Sequence, residues 1–175
     1  VVASQVANFD RTEGMTVMEN ILQANPNVKG VFAANDEMAL GAVEAISGAG
    51  KNVVVVGFDA TDDAIAAIKD GRMAATIAQQ PELIGSTSVA NAVKLINGDT
   101  IDAKIPVEVT LVTIDNVDTF NAKAPVEIVG NGGIGLSVST QNNPFFVTLV
   151  DGAKAKADEL GVSLTVVDAG DDVTK

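Results

Sequence analysis

A chain of 175 residues with 47% apolar side chains is long enough for one domain or a little more with a hydrophobic core, and too apolar for a disordered segment. A formal charge of −12 with only 11 lysines and arginines leaves no basic face for nucleic acid or an anionic membrane, and no apolar run approaches the ~20 residues of a membrane helix. Histidine, cysteine and tyrosine are absent, which removes the commonest general base, disulfides and the usual transition-metal ligands, so the chain reads as a binding module and not an enzyme, with no cofactor and no metal.

Residues 1–4 are a short apolar start that suits an edge strand, and Asn8-Phe9-Asp10-Arg11-Thr12 reads as a loop leading into a helix cap. A helix over about 12–24 follows, with Met15, Met18 and Leu22 on its buried stripe, and Asn25-Pro26-Asn27 stops it. Residues 28–34 form the next strand, closed by Asn35-Asp36, where Asp36 suits the N-cap of a helix carrying Ala39, Ala42, Val43 and Ile46. The centre of the pattern is Val53-Val54-Val55-Val56-Gly57-Phe58-Asp59. Its unbroken β-branched run fits a strand covered on both faces, and Asp59 falls at its carboxyl end, where open α/β sheets place ligands.

Thr61 or Asp62 caps a short helix with Ile65 and Ile68; residues 73–78 are another strand, and Pro81 opens a helix whose stripe is Val89, Ala92, Val93 and Ile96. Strict alternation of strand and helix to this point implies parallel strands joined by right-handed crossovers. Residues 105–129 break the rhythm with two apolar runs and no helical stripe, and Gly130-Asn131-Gly132-Gly133 reads as a joint. A last βαβ unit follows, with strands over 134–139 and 162–167. Its helix, about 144–160, is framed by Asn143, Pro144 and Gly161, with Phe146, Leu149, Val150, Ala153, Ala157 and Leu160 on one face.

Gly130 to Gly135 matches G-x-G-x-x-G, and Asp168 could be cast as the ribose-binding acid of a dinucleotide site. The fingerprint needs its glycines between a strand and a helix, and here they precede a strand, so they read as a linker or tight turn. Asn35, Asp59 and Gln79 each end a successive strand; three such groups at one sheet edge suit the adjacent hydroxyls of a sugar, and equally suit helix caps and loop closures. Phosphorylation of Asp59 would want further acids for a metal, and Ser139-Thr140 stand where they are needed. Phe9, Phe145 and Phe146 lie in loops or helix starts, where an aromatic face complements sugar C–H groups, although Phe146 also fits the buried stripe of its helix.

Ala7-Asn8-Phe9-Asp10-Arg11, Val31-Phe32-Ala33-Ala34-Asn35-Asp36-Glu37-Met38-Ala39-Leu40-Gly41, Val55-Val56-Gly57-Phe58-Asp59 and Ala74-Ala75-Thr76-Ile77-Ala78-Gln79-Gln80-Pro81 together resemble the carboxyl-terminal lobe of bacterial periplasmic ribose-binding proteins, over residues 1 to about 120. Ile134-Gly135-Leu136-Ser137-Val138-Ser139-Thr140 with Asn142-Asn143-Pro144-Phe145-Phe146 resembles the first strand and helix of the amino-terminal lobe of the same family. The family order is therefore reversed, as in a permuted, truncated or engineered chimera. The resemblance implies ligand contacts at Phe9, Asn35, Asp59 and Gln79 on the large segment and at Asn143, Phe145 and Phe146 on the small one. Much of the family's cleft, including an Asp-Arg pair and a further arginine, has no counterpart here.

The fold so implied is α/β, a three-layer αβα flavodoxin-like lobe with a mostly parallel five- to six-stranded sheet. Residues 1–122 and 134–175 would pack into one domain across a linker at 123–133, with 1–4 and 162–167 both fitting the sheet edge. The function implied is non-enzymatic binding of a ribose-type pentose through an incomplete site, weak in isolation, with a complementary lobe or a second copy as partner. Its rivals are an engineered folding scaffold without ligand function and, without any basic helix-turn-helix in view, the effector lobe of a sugar-responsive regulator. The resemblance points to the periplasm; no signal sequence opens the chain, so the form given would stay in the cytoplasm.

Overall fold

The computed structural model describes residues 1–120 and 133–170. The chain divides into two compact units, one of Val1–Gln79 with Val109–Phe120 and one of Gln80–Glu108 with Asn121–Lys175.

The first unit runs α1 (Arg11–Ala24), β1 (Gly30–Phe32), α2 (Asp36–Gly48), β2 (Val54–Val56), α3 (Asp62–Lys69), β3 (Ala75–Ala78) and, after an excursion into the second unit, β4 (Thr110–Thr113). The strands pair in the order β1-β2-β3-β4, the first three parallel and β4 antiparallel to β3. Asp10 caps α1 by accepting from the Glu13 amide, and Thr61 caps α3 through the Ala64 amide. On α2 the cap is Asn35, which accepts from the Met38 amide, so Asp36 lies one residue inside the helix and is not the cap that its composition suggested.

The valine run is covered less completely than its sequence implies. Val53 and Val55 are buried, whereas Val54 is 55% exposed and Phe32, on the same face one strand over, 60%. The connections through α2 and α3 step from β1 to β2 to β3 in one direction, and right-handed crossovers in one direction place both helices on one face. That face carries the core: Met18, Leu40, Ile46, Val55, Ile68 and Val112 belong to one buried cluster.

The second unit holds α4 (Pro81–Ile96), β5 (Gly133–Val138), α5 (Pro144–Leu160) and β6 (Ser163–Asp168). The boundaries of α5 follow its punctuation: Asn143 caps it, Pro144 is its first residue, and Gly161 ends it at φ 68°. The two helices meet at their backbones. A Cβ on Gly85 of α4 would collide with the carbonyl of Leu149, and one on Gly152 of α5 with the carbonyl of Glu82. Beside that contact Val89 and Val93 pack with Ala153, Ala157, Leu160 and Val162. On α4 the buried positions are Gly85, Val89, Ala90 and Val93, while Ile96, expected on the stripe, is exposed.

The architecture is α/β with a mostly parallel sheet. Among the described residues six strands are hydrogen-bonded as a set of four and a parallel pair. Over the whole of their length β5 and β6 pair with each other, from Gly133 opposite Ser163 to Val138 opposite Asp168. Residues 1–4 form no strand. The linker expected at 123–133 falls outside the described residues up to 132, and Gly133 already begins β5.

Candidate functional site

Parallel strands with right-handed crossovers bring the carboxyl ends of β1, β2 and β3 and the amino ends of α2 and α3 to one edge of the first unit. Asn35 stands at the end of β1. It is 2% exposed, and its amide is engaged on both sides: Oδ1 accepts from Met38, and Nδ2 donates to the Phe9 carbonyl at 3.2 Å. That bond fixes a loop in which Asn8 and Phe9 have φ of 46° and 58°, and it leaves the Phe9 ring 61% exposed. Asn35 is thus a helix cap in the folded chain as it stands.

Asp59 follows β2 at φ 120°, with Ala60 behind it at 58°. Two successive non-glycine residues at positive φ are costly and persist where the surroundings hold them. The Asp59 amide donates to the Ile77 carbonyl at 2.8 Å, and its carboxylate accepts from Gln79 Nε2 at 2.6 Å. Burial pushes the Asp59 carboxyl up to about 7, with the charges of Asp36 and Glu37 adding to the rise and the Gln79 hydrogen bond opposing it. Near neutrality the group is thus both a proton donor and an acceptor, which suits a hydroxyl. On the rim, Arg11 ties the starts of three helices together, bonding Glu37 through Nε at 2.9 Å and Asp63 through Nη2 at 2.7 Å.

In the second unit Asn143 accepts from the Phe145 amide at 2.9 Å, and the rings of Phe145 and Phe146 meet edge to face, 5.2 Å apart at 82°. Both rings are half-buried, and Phe146 stands outside the buried cluster that Ala153, Ala157 and Leu160 form. The structure thus brings Asn35 to Phe9 and Asp59 to Gln79 in one unit, and Asn143 to its two phenylalanines in the other.

The dinucleotide reading fails on both of its parts. Gly133 and Gly135 lie within β5, so no helix opens on them, while Gly130 and Gly132 lie outside the described residues. Asp168 uses its two carboxylate oxygens on the loop amides of Gln141 and Gly170. Among the described residues no group of three or more acids could hold a metal ion, and no helix is long and apolar enough to cross a membrane.

Two residues that the sequence did not mark as part of a site belong to this edge. Asp36 and Thr76 are both fully buried and bond each other, Thr76 Oγ1 donating to Asp36 Oδ1 at 2.7 Å. The available signal was the pair Asn35-Asp36, of which one residue alone can be the cap. The other is left needing a partner.

Residues 1–100 match the periplasmic binding protein domain family. The ribose import binding protein RbsB of Haemophilus influenzae is 55% identical over 113 residues, covering 65% of this chain and 39% of that protein. Its namesake from Bacillus subtilis is 51% identical over 113 residues, covering 65% and 37%. This chain therefore spans about two fifths of the length of the curated relatives it matches. Among solved structures, an Actinobacillus succinogenes solute-binding protein with bound D-allose aligns at TM-score 0.66 and 39% identity, over 69% of this chain and 43% of that one. A Bacillus halodurans solute-binding protein with bound myo-inositol aligns at 0.59 and 46%, over 64% and 39%. These relatives are named for binding, not for catalysis. With more than half of its length matched to that family, the chain belongs to the periplasmic binding protein domain family.

Proposed function

We propose that the chain is a non-enzymatic binding module for a ribose-type sugar, carrying an incomplete site. The observation that carries this reading is the Asp59–Gln79 pair, a near-neutral carboxyl and an amide joined at 2.6 Å at the ends of neighbouring strands. The exposed Phe9 ring supplies an apolar face of the kind that covers sugar C–H groups. Asn35 retains one amide proton and one lone pair beyond its two intramolecular bonds. In the same reading Asn143, Phe145 and Phe146 of the second unit are also ligand contacts, supported by their sequence resemblance and by the partial exposure of both rings. Relatives named for ribose import and structures holding D-allose and myo-inositol support a polyhydroxylated ligand. The family's compartment supports a periplasmic setting, and a complementary lobe or second copy is the partner that an incomplete site would call for.

The order of the two segments, carboxyl-terminal-lobe-like before amino-terminal-lobe-like, supports a rearranged or chimeric origin. A second reading follows from it: a scaffold without ligand function, favoured by the prior engagement of the Asn35 amide on both sides. Calorimetric titration with ribose, beside a sedimentation measurement of mass, separates the two. A weak heat abolished by Asp59→Ala supports the binding module, and a chain indifferent to ribose at every concentration supports the scaffold.

A further inference from the structure

We propose that Asp36 and Thr76 are the positioning residues of Asp59, acting as a buried pin that holds residues 59–61 in the conformation from which Asp59 meets Gln79. The inference rests on reading Asp59 as the ligand contact, and concerns what places it. Three successive backbone amides of that loop each have a fixed acceptor: Asp59 donates to the Ile77 carbonyl, Ala60 to Thr76 Oγ1 at 3.2 Å, and Thr61 to Asp36 Oδ2 at 2.8 Å. Both side-chain acceptors are fully buried and bonded to each other, so neither can turn away without leaving a polar group unsatisfied in the core. Gly57 completes the arrangement, because a Cβ there would occupy the place of Asp36 Oδ1.

The pin explains how two non-glycine residues come to have positive φ in succession. Left to itself, Asp59 at φ 120° would relax towards the extended region and swing its carboxylate away from the Gln79 amide. Asp36 belongs to α2, Thr76 to β3 and the loop to the end of β2, so the three elements bearing Asn35, Asp59 and Gln79 are locked at one point. Removing the Thr76 hydroxyl frees the Ala60 amide and takes a donor from Asp36 in one step, whereas serine keeps both bonds.

The test uses the whole chain and follows the Gln79 side-chain amide by nuclear magnetic resonance, alone and in a ribose titration carried past the millimolar range. Thr76→Val is expected to move that resonance towards the value of a free amide and to cut its ribose-induced movement about tenfold or more, the effect of one lost bond to a charged group. Thr76→Ser is expected to restore both. Should Thr76→Val fail to fold, Thr76→Ala removes the same hydroxyl and is read in the same way. Folded variants in which the Gln79 resonance stays in place overturn the inference. A resonance that moves with Thr76→Val and returns with Thr76→Ser, in a chain that ribose never perturbs, supports the pin and overturns the sugar reading.

Discussion

Gln79 donates to Asp59 across 2.6 Å, joining the loop after β2 to the end of β3 with a bond that favours the ionised acid, while burial favours the neutral one. Burial prevails, and the Asp59 carboxyl rises to about 7 from an ordinary value near 4. The native state then holds a proton that the unfolded chain releases. Stability from this group is complete below about pH 4 and is lost as pH rises through about 7. Asp36 is raised as well, mainly by burial, so the wild type carries both contributions. Asp59→Asn should therefore flatten part of the decline in denaturant midpoint between pH 4 and 8. A profile unchanged by that substitution would show that Asp59 is ordinary in the folded chain.

The α4–α5 contact predicts that the end of the chain is integral to its stability. Val89 and Val93 of α4 are covered by Ala153, Ala157 and Leu160 of α5, and an aliphatic side chain returned to water costs roughly 1.5–3 kcal/mol. Domains are stable by only about 5–15 kcal/mol. A chain ending at Gly130 should melt well below the full one and lose helical signal from α4. Equal melting of the two would refute this.

Gly85→Ala should be costly out of proportion to its size, because the added methyl would press on the Leu149 carbonyl, and a backbone atom between two helices has no rotamer with which to yield. Overpacking of this kind typically costs about 1–3 kcal/mol. Gly135→Ala is the control, since its methyl would point into open space within β5 and should change stability by less than about 0.5 kcal/mol. The difference in urea midpoint between the two variants decides the matter.

The legible parts of the fold were those written in local punctuation. The ends of α5 are named by Asn143-Pro144 and Gly161, and the strand ends Asn35, Asp59 and Gln79 by the change from apolar to polar residues. What depends on residues far apart was not legible. Four consecutive valines do not say which face the crossovers will cover, and Val54 is exposed because both connecting helices lie opposite it. Asp36 has the composition of a cap, and its actual partner, Thr76, is 40 residues away. Nor does a helical stripe distinguish Ala90, which is buried, from Ala92, which is half-buried: the positions differ by a rotation of the axis that only the packing of α4 on α5 fixes.

Affinity for ribose should be weak, for reasons that can be put in magnitudes. The family resemblance implies three charged contacts, one acid and two arginines, with no counterpart in this sequence. Hydrogen bonds to charged groups contribute roughly 1.5–3 kcal/mol each, so their loss removes about 5–9 kcal/mol. A micromolar site holds about 8 kcal/mol in all. What remains in the first unit is Asp59 with Gln79, the free capacity of Asn35 and the face of Phe9, a ring already 61% exposed to water. Hydroxyls that trade solvent for such partners gain little while water still reaches them. Ribose should accordingly bind the isolated chain no more tightly than millimolar, and Asp59→Ala should abolish what binding there is. Micromolar binding by a sedimentation-verified monomer, lost on Asp59→Ala, would contradict the expectation.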